Sequence, residues 1–398
     1  MGILFLQFLA RSWWLALRSL WPPKASIATR SPRRLLIALL FVPGFVLLQL
    51  VHWCGFLLDE LLFRGYRRVP IRKPVFILGV PRSGTTFLHN VLSDDPQFTT
   101  FSTWECLLAP SVTERKLVLG LAWIDRRLGA PGARLLRWAE DRLQGDLAAV
   151  HPVRLSAPEE DYFALTPALA CFILIAPFPF ARWVWDLAYF DTHYPPRQRQ
   201  RLMDFYQRLI QRHLYVHGDK TFLSKNAAFA GMIDALTTRF EDGRFVCCVR
   251  DPVETVPSQL SALDIGMRWF CNRWDDLGDV EPIIERFVFY YDHLAAATER
   301  APDRVLVVAD TQLKDTLEGT VMAVYRHFGL ASDPSFETRL HALDSKSREH
   351  RSTHRHAATD YGLTEAMLTS RFAAVYPRLR RQCLVAGPAT TDLQDAHA

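Results

Sequence analysis

The feature that most constrains this chain is a short turn between an apolar run and a helical segment. Residues 74–80, PVFILGV, are continuously apolar, the pattern of a strand buried on both faces of a parallel sheet. The run leads into Gly79-Val-Pro-Arg-Ser-Gly84-Thr85-Thr86, and FLHNVLSDD behind it reads as a helix. Strand, glycine-bounded polar loop and helix in that order make an anion cradle. Gly84 lets the backbone approach a ligand, and successive N–H groups at the helix start converge on it. Arg82, Ser83, Thr85 and Thr86 add hydrogen bonds to the same anion, the arginine's being charge-assisted. The spacing is that of a phosphate-binding loop, G-x-x-x-x-G-K-[ST], with Thr85 in the lysine position. Loss of the lysine disfavours nucleotide hydrolysis but leaves a phosphate or sulfate cradle intact.

The rest of the chain alternates in the same way. FLSKN (222–226), RFVCCVR (244–250) and RVLVVAD (304–310) read as strands, each followed by a helical pattern. Alternation of this kind predicts an α/β fold, a phosphate-loop-like parallel sheet flanked by helices. Two helical insertions interrupt it, around 111–149 and at 197–216. A second polar constellation, Arg250-Asp-Pro-Val-Glu-Thr-Val-Pro-Ser258, begins at a strand's carboxyl end, where open α/β sheets bind ligands. Arg250 and Ser258 are suited to hold a second phosphate, although Arg-Asp at a strand end also reads as a local salt bridge. The seven cysteines lack metal-ligand spacing, and Cys247 and Cys248 lie inside a strand as small hydrophobes. No metal site is expected. Three asparagines, none opening a glycosylation sequon, together with the odd cysteine count fit a reducing cytoplasm.

Charge separates the first part of the chain from the rest. Residues 1–73 hold eleven Lys and Arg against Asp59 and Glu60, whereas the remaining 325 residues carry four more acidic than basic groups. A nucleic-acid protein carries its surplus on the folded domain, so no nucleic-acid partner is expected. Here the surplus flanks residues 35–58, which contain no Asp, Glu, Lys or Arg and are hydrophobic at 19 of 24 positions. That length suffices to span a bilayer, and the basic flanks favour anionic lipid. Residues 1–21, with Arg11 and Arg18 on one helical stripe, read as a helix in the membrane interface. Pro43-Gly44 interrupts the apolar run. A re-entrant hairpin is therefore as compatible as a single span, and a buried helix pair docked on the domain is the alternative to both.

PRSGTTFLHNVL, the TWE at 103–105, Lys225 behind a strand, and RDPVETVPS together resemble the sulfotransferases that use 3′-phosphoadenylyl sulfate (PAPS). The similarity is to the bacterial branch related to the tyrosylprotein enzymes and runs from about 75 to 380, including HRHAATDYGLTEAMLTSRFAAVYPRL near the end. The resemblance implies that Arg82, Ser83, Gly84, Thr85 and Thr86 bind the 5′-phosphosulfate, and that Arg250 and Ser258 bind the 3′-phosphate. It makes Glu105 the carboxylate base and Lys225 the bridge between leaving and transferring oxygens, with Arg82 beside it. Glu159, Glu160 and Asp161 form a rival acidic cluster, read as a solvated helix start or an acceptor contact. His89 reads as a packed or cleft-edge histidine. Arg348 and Arg351 in 345–356 are candidates to close over the donor's anions, and the same run reads equally as a solvated basic loop.

The expected organisation is a membrane-associated helical segment and basic linker at 1–66, a sulfotransferase domain at 67–385 and a polar tail at 386–398. The expected activity moves a sulfuryl group from PAPS to a hydroxyl acceptor, without a metal. The Trp, Phe and Leu content of the 107–220 insertions favours an apolar acceptor, with lipid, glycan, phenol and peptide all open. Membrane lipid is the second expected partner, and the catalytic domain is expected on the cytoplasmic side. A loop kinase or NTPase, with Asp310 as magnesium ligand, and a non-enzymatic membrane-anchored nucleotide-binding scaffold are the competing readings.

Overall fold

The computed structural model describes residues 1–24, 26–147, 154–273, 277–349 and 361–384. Five strands, β1 (Val75–Gly79), β2 (Phe98–Thr99), β3 (Thr221–Lys225), β4 (Arg244–Val249) and β5 (Val305–Ala309), form one parallel sheet in the order β2-β3-β1-β4-β5. β1 and β5 are buried at every position and β4 at all but its first, which is why their sequences do not alternate. Consecutive residues point to opposite faces of the sheet, so Cys247 and Cys248 enter two different apolar cores. Both act as small hydrophobes, and all seven cysteines are free. The four longer strands coincide with the runs read from sequence. β2 was not foreseen, because two residues are too few to show a period.

β1 lies between β3 and β4, with Ile77 opposite Lys225 and Gly79 opposite Cys248. The connections leave β1 in both directions, so a crevice opens beyond its carboxyl end. Gly79 is required there. Its φ is +144°, and a Cβ would lie 2.1 Å from the Cys248 carbonyl oxygen.

Two long helices, α1 (Gly2–Leu20) and α2 (Pro32–Leu62), precede the sheet. Ser31 caps α2 by accepting the Arg34 N–H at 3.2 Å, with Pro32 at its first position. The helix continues through Pro43-Gly44, so the expected interruption, and the hairpin built on it, are corrected. Pro43 removes one backbone bond, but the helix is held on both sides of it by side chains docked on the domain. Arg34 donates to the Phe270 carbonyl and to Asn272 Oδ1, each at 2.6 Å. His52 contacts Glu114 at 2.6 Å, and Asp59 pairs with Arg212 at 2.7 Å, both side chains fully buried. Trp53 and Phe56 pack their rings on Phe205 at 5.9 and 5.5 Å, and α1 joins through Phe5, 5.3 Å from Trp53.

α3 (Thr85–Ser93) follows the loop, and α4 (Thr103–Leu107) follows β2. The first insertion is a helical pair, α5 (Val112–Arg127) and α6 (Pro131–Leu147). Beyond a 3-10 turn at Asp161–Ala168 come two one-turn helices, α7 (Arg182–Trp185) and α8 (Phe190–His193), and the long α9 (Pro196–His217). α10 (Ile233–Arg239) precedes β4, while α11 (Pro252–Trp269) and α12 (Leu277–Arg300) follow it. The chain ends through α13 (Asp310–Asp315), α14 (Leu317–Phe328), α15 (Pro334–Glu349), α16 (Glu365–Phe372) and α17 (Val375–Arg380).

Candidate active site

The loop after β1 takes two left-handed residues, Arg82 at φ +66° and Gly84 at φ +91°. For an arginine this backbone costs about 1–2 kcal/mol, so something must hold it. Ser83 does: its buried Oγ lies 2.6 Å from the Val80 carbonyl oxygen and 3.0 Å from that of Cys248. That hydroxyl is spent pinning the loop to β4, which leaves the Ser83 N–H for a ligand. Thr85 is buried in the first turn of α3, and Thr86 is exposed.

Three cationic side chains meet around this loop, one from each of three elements. Arg82 Nε donates to Ser258 Oγ in α11 at 3.1 Å, and Arg250 Nη1 donates to the Arg82 carbonyl at 3.3 Å. The two arginines and Ser258 are thus brought together as expected. Arg250 is also ion-paired to Glu254 and, at 3.4 Å, to Asp310, which takes Lys314 at 2.8 Å. The partners of Arg250 are thus Glu254 and Asp310 and not the adjacent Asp251, which accepts the Val253 N–H at 2.9 Å and caps α11. Desolvation lowers the Arg82 guanidinium from its usual value, Arg250 lowers it further, and Glu160 opposes both.

Lys225 ends β3 with its side chain 2% exposed, and its ammonium is 2.6 Å from Glu160 Oε1. Its own N–H reaches Asp161 Oδ1 at 3.2 Å. The Asp161 carboxyl, also bonded to the Tyr206 hydroxyl, is pushed up to about 7 by burial against hydrogen bonds from Tyr206 and Ser224. The acidic cluster is therefore not a solvated helix start. Glu160 faces both Lys225 and Arg82, Asp161 supports the strand behind Lys225, and Glu159 accepts the Thr103 hydroxyl at 3.2 Å.

Glu105 is held by a separate set of partners. Its Oε2 accepts the Ser102 N–H at 3.0 Å and the Ser102 hydroxyl at 2.8 Å, the capping box of α4. Its Oε1 is 2.8 Å from His217 Nε2, 3.1 Å from His213 Nδ1 and 3.2 Å from the buried Arg115 Nε. Burial opposes ionisation, but these partners hold the carboxyl well below the usual range. His213 is itself pushed down to about 4 by burial, so at neutral pH the facing charge is Arg115. Both Glu105 oxygens are thus engaged by residues outside the loop.

A relay of contacts runs from the loop helix back to this group. The buried His89 touches Thr100 Oγ1 at 2.8 Å, and the adjacent Thr99 touches His213 Nε2 at 2.8 Å. Burial, helped by nearby Lys225, pushes His89 down to about 3, so it is a packed neutral imidazole. Glu105, His213 and His217 place three potential metal-ligand atoms within 4.8 Å of one another. Arg115 already supplies positive charge to that carboxylate. The grouping was missed from sequence, where its only signal was His213 and His217 four apart. Arg351 and the side chain of Arg348 lie outside the described residues, as do the tail at 386–398 and the start of the similar C-terminal block.

A narrow apolar slot, walled by Tyr162, Phe172, Leu187 and Phe229, opens beside Asn226, the residue after Lys225. The segment from Glu160 leads through the 3-10 turn to α2, where Trp53 Nε1 donates to the Pro167 carbonyl at 3.0 Å. One short stretch connects the acid facing Lys225 to the apolar helices.

A glycine-bounded loop at the switch point of a parallel sheet, faced by Arg82, Lys225 and Arg250, defines a protein that transfers a group from a phosphate-bearing donor. The sulfotransferase family model matches residues 74–334, and the chain belongs to that family. The omega-hydroxy-beta-dihydromenaquinone-9 sulfotransferase Stf3 of Mycobacterium tuberculosis, like that of Mycobacterium bovis, is 26% identical over 313 residues, covering 75% of this chain and 74% of the relative. Sulfotransferase STF9 from Mycobacterium avium shares the fold with a TM-score of 0.72 at 16% identity over 97% of this chain and 98% of its own. STF1 from Mycobacterium tuberculosis gives 0.66 at 20% identity over 92% and 91%. The protein is thus a PAPS-dependent sulfotransferase acting on a hydroxyl acceptor, and the kinase and scaffold readings are set aside.

Proposed function

We propose that this enzyme sulfates an apolar, membrane-borne hydroxyl compound, with Glu160 taking the acceptor's proton. The single observation that carries the residue assignment is the Lys225–Glu160 pair at the mouth of the phosphate loop. In the transfer, the acceptor oxygen bonds to sulfur, the bond from sulfur to the bridging phosphate oxygen breaks, and the hydroxyl proton passes to a carboxylate. Loop N–H groups from Ser83 to Thr86 suit the 5′-phosphate, and Arg82 and Lys225 suit the charge on the transferring and leaving oxygens. Arg250 and Ser258 suit the 3′-phosphate, with Arg250 exchanging part of its pairing to Glu254 and Asp310 for the donor. Glu105 supports α4 and α9 in this reading rather than serving as the base.

The acceptor class rests on three supports: the apolar side chains packed beside Asn226, the direct connection from Glu160 to α2, and the menaquinone derivative named for Stf3. One helix, Pro32–Leu62, is long and apolar enough for membrane contact, which favours a membrane-associated enzyme. The proposed division remains a lipid-facing segment at 1–66 and a catalytic domain at 67–385 on the cytoplasmic side.

Glu160→Gln should lower sulfate transfer about 100-fold or more while affinity for adenosine 3′,5′-bisphosphate stays within about two-fold, the behaviour of a lost base. Glu105→Gln should chiefly lower the unfolding midpoint, since it leaves Arg115 buried without its charge. Turnover assays with calorimetric titration separate the two. Selective loss of turnover in Glu105→Gln, with Glu160→Gln fully active, would return the base to Glu105.

A further inference from the structure

We infer that the enzyme lies on an anionic bilayer without crossing it, on a continuous face made by α1, the outer side of α2 and the α5–α6 pair. This deepens the proposed membrane association and rests on it. The argument against a span is α2's own docking. Arg34 and Asp59 are both tied to the domain, and 25 residues of helix separate them by about 37 Å. Ala38, Val42, Gln49, His52, Trp53 and Phe56 are buried between them. The hydrocarbon core is about 30 Å thick, so a crossing helix would draw the His52–Glu114 contact and the domain packed along this stripe into lipid. Those buried polar groups are compatible only with α2 lying along the surface, its opposite side embedded.

The second support is where the apolar surface falls. Of 34 exposed large apolar residues among the described residues, 27 lie in segments 1–21, 32–62 and 112–147. On α2 they include Leu36, Leu40, Leu47, Leu58 and Leu62, on the side away from the docked stripe. α5 adjoins α2 through His52–Glu114 and the Val112 N–H on Asp59 at 3.0 Å. α6 buries none of residues 131–142, yet displays Leu135, Leu136 and Trp138. α6 meets α5 and, through Glu140, the Leu155 N–H at 3.0 Å; a helix with so little of its surface buried is marginal in water and needs its apolar side covered. Within the 107–220 stretch expected to shape the acceptor pocket, this leaves the 161–193 turns for that role.

Charge selects anionic lipid as the cover. Arg30, Arg127 and Arg142 lie over the rings of the exposed Trp21, Trp123 and Trp138 at 4.8, 4.8 and 4.9 Å, a pairing suited to the headgroup layer. Where α1 begins, a cavity of about 490 Å³ is lined by Ile3, Leu4 and Phe205 and by Arg67, Arg201 and Arg208, of which Arg67 is paired with Glu60. Its one acidic residue, Asp204, is paired with Arg239. Apolar wall and arginine rim match an acyl chain and a phosphate-bearing headgroup.

The full-length protein should co-sediment with phosphatidylglycerol vesicles at least five-fold better than with phosphatidylcholine vesicles. Trp123→Glu with Trp138→Glu should lower binding about ten-fold, with unchanged thermal unfolding and unchanged affinity for adenosine 3′,5′-bisphosphate. That last reading is independent of lipid, so failure of the docking surface and failure of the sulfotransferase assignment are distinguishable. Topology is read in a Cys54→Ser background, with Lys24→Cys and Arg64→Cys challenged by an impermeant maleimide in spheroplasts and in inside-out vesicles. Both positions should react from the same side. Reaction from opposite sides shows a span and overturns the inference. So does unaltered vesicle binding of the double variant, or a dimer in analytical ultracentrifugation that the double variant abolishes.

Discussion

Arg250 illustrates how far single residues could be read. An arginine at the end of an apolar strand faces the crevice whatever its neighbours do, so its place was legible. That Asp310 shares its charge was not, because Asp310 reaches it from the start of α13, behind β5. Arg250→Ala should weaken binding of adenosine 3′,5′-bisphosphate about ten-fold or more, the cost of one charged hydrogen bond, as calorimetry would show. Glu105 marks the opposite case. A Trp-Glu pair after a helix resembles a catalytic motif, yet Arg115, His213 and His217 reach that carboxylate from α5 and α9, contacts no local spacing reveals. Lys225 was singled out by the family resemblance, and its place at the end of a strand was legible; its ion-pair partner Glu160 was ambiguous among three consecutive acids. The two buried histidines carry a pH signature. Burial lowers His89 to about 3 and His213 to about 4, from about 6.5 unfolded. The unfolded chain therefore binds protons that the folded chain refuses, and stability is full above pH 6.5 and lost as pH falls toward 4. Between pH 7 and 5 each histidine should cost about 2 kcal/mol. Urea unfolding at the two pH values should show a smaller loss in His89→Gln than in the parent protein.

Among the elements, the four longer strands and the loop helix follow from apolar runs and one glycine turn, and their order follows from alternation. The edge strand β2 carries no such signal. α2 was legible as apolar but not as docked, because its fixing groups are polar residues spaced along one stripe: Arg34, His52 and Asp59. Each looks incidental until its partner arrives from more than sixty residues away, as Glu114 does for His52. Pro43-Gly44 was overread as a break, since a proline can be carried inside a helix held on both sides of it. Asp59→Ala leaves the buried Arg212 with only the longer contact to Glu60 at 3.7 Å, and should destabilise the protein by about 3–5 kcal/mol. A fall in the thermal midpoint of several degrees checks this; a midpoint equal to the parent's would mean the pair does not hold α2.

For the whole molecule, charge distribution was the informative quantity. The basic surplus of residues 1–73 lies beside an apolar surface, while the catalytic crevice gathers its cations singly, from β1's loop, β3 and β4. In the proposed reading such a crevice holds a polyanionic donor by placement rather than by bulk field and meets an apolar acceptor. The division of labour between a lipid face and a donor crevice makes one assay decisive. The enzyme should be incubated with PAPS carrying labelled sulfur and with the host's extracted membrane lipids in mixed vesicles. Label should pass into an organic-soluble sulfate ester with the parent protein and fall at least 100-fold with Glu160→Gln. Label recovered only in water-soluble products would contradict the membrane-borne acceptor.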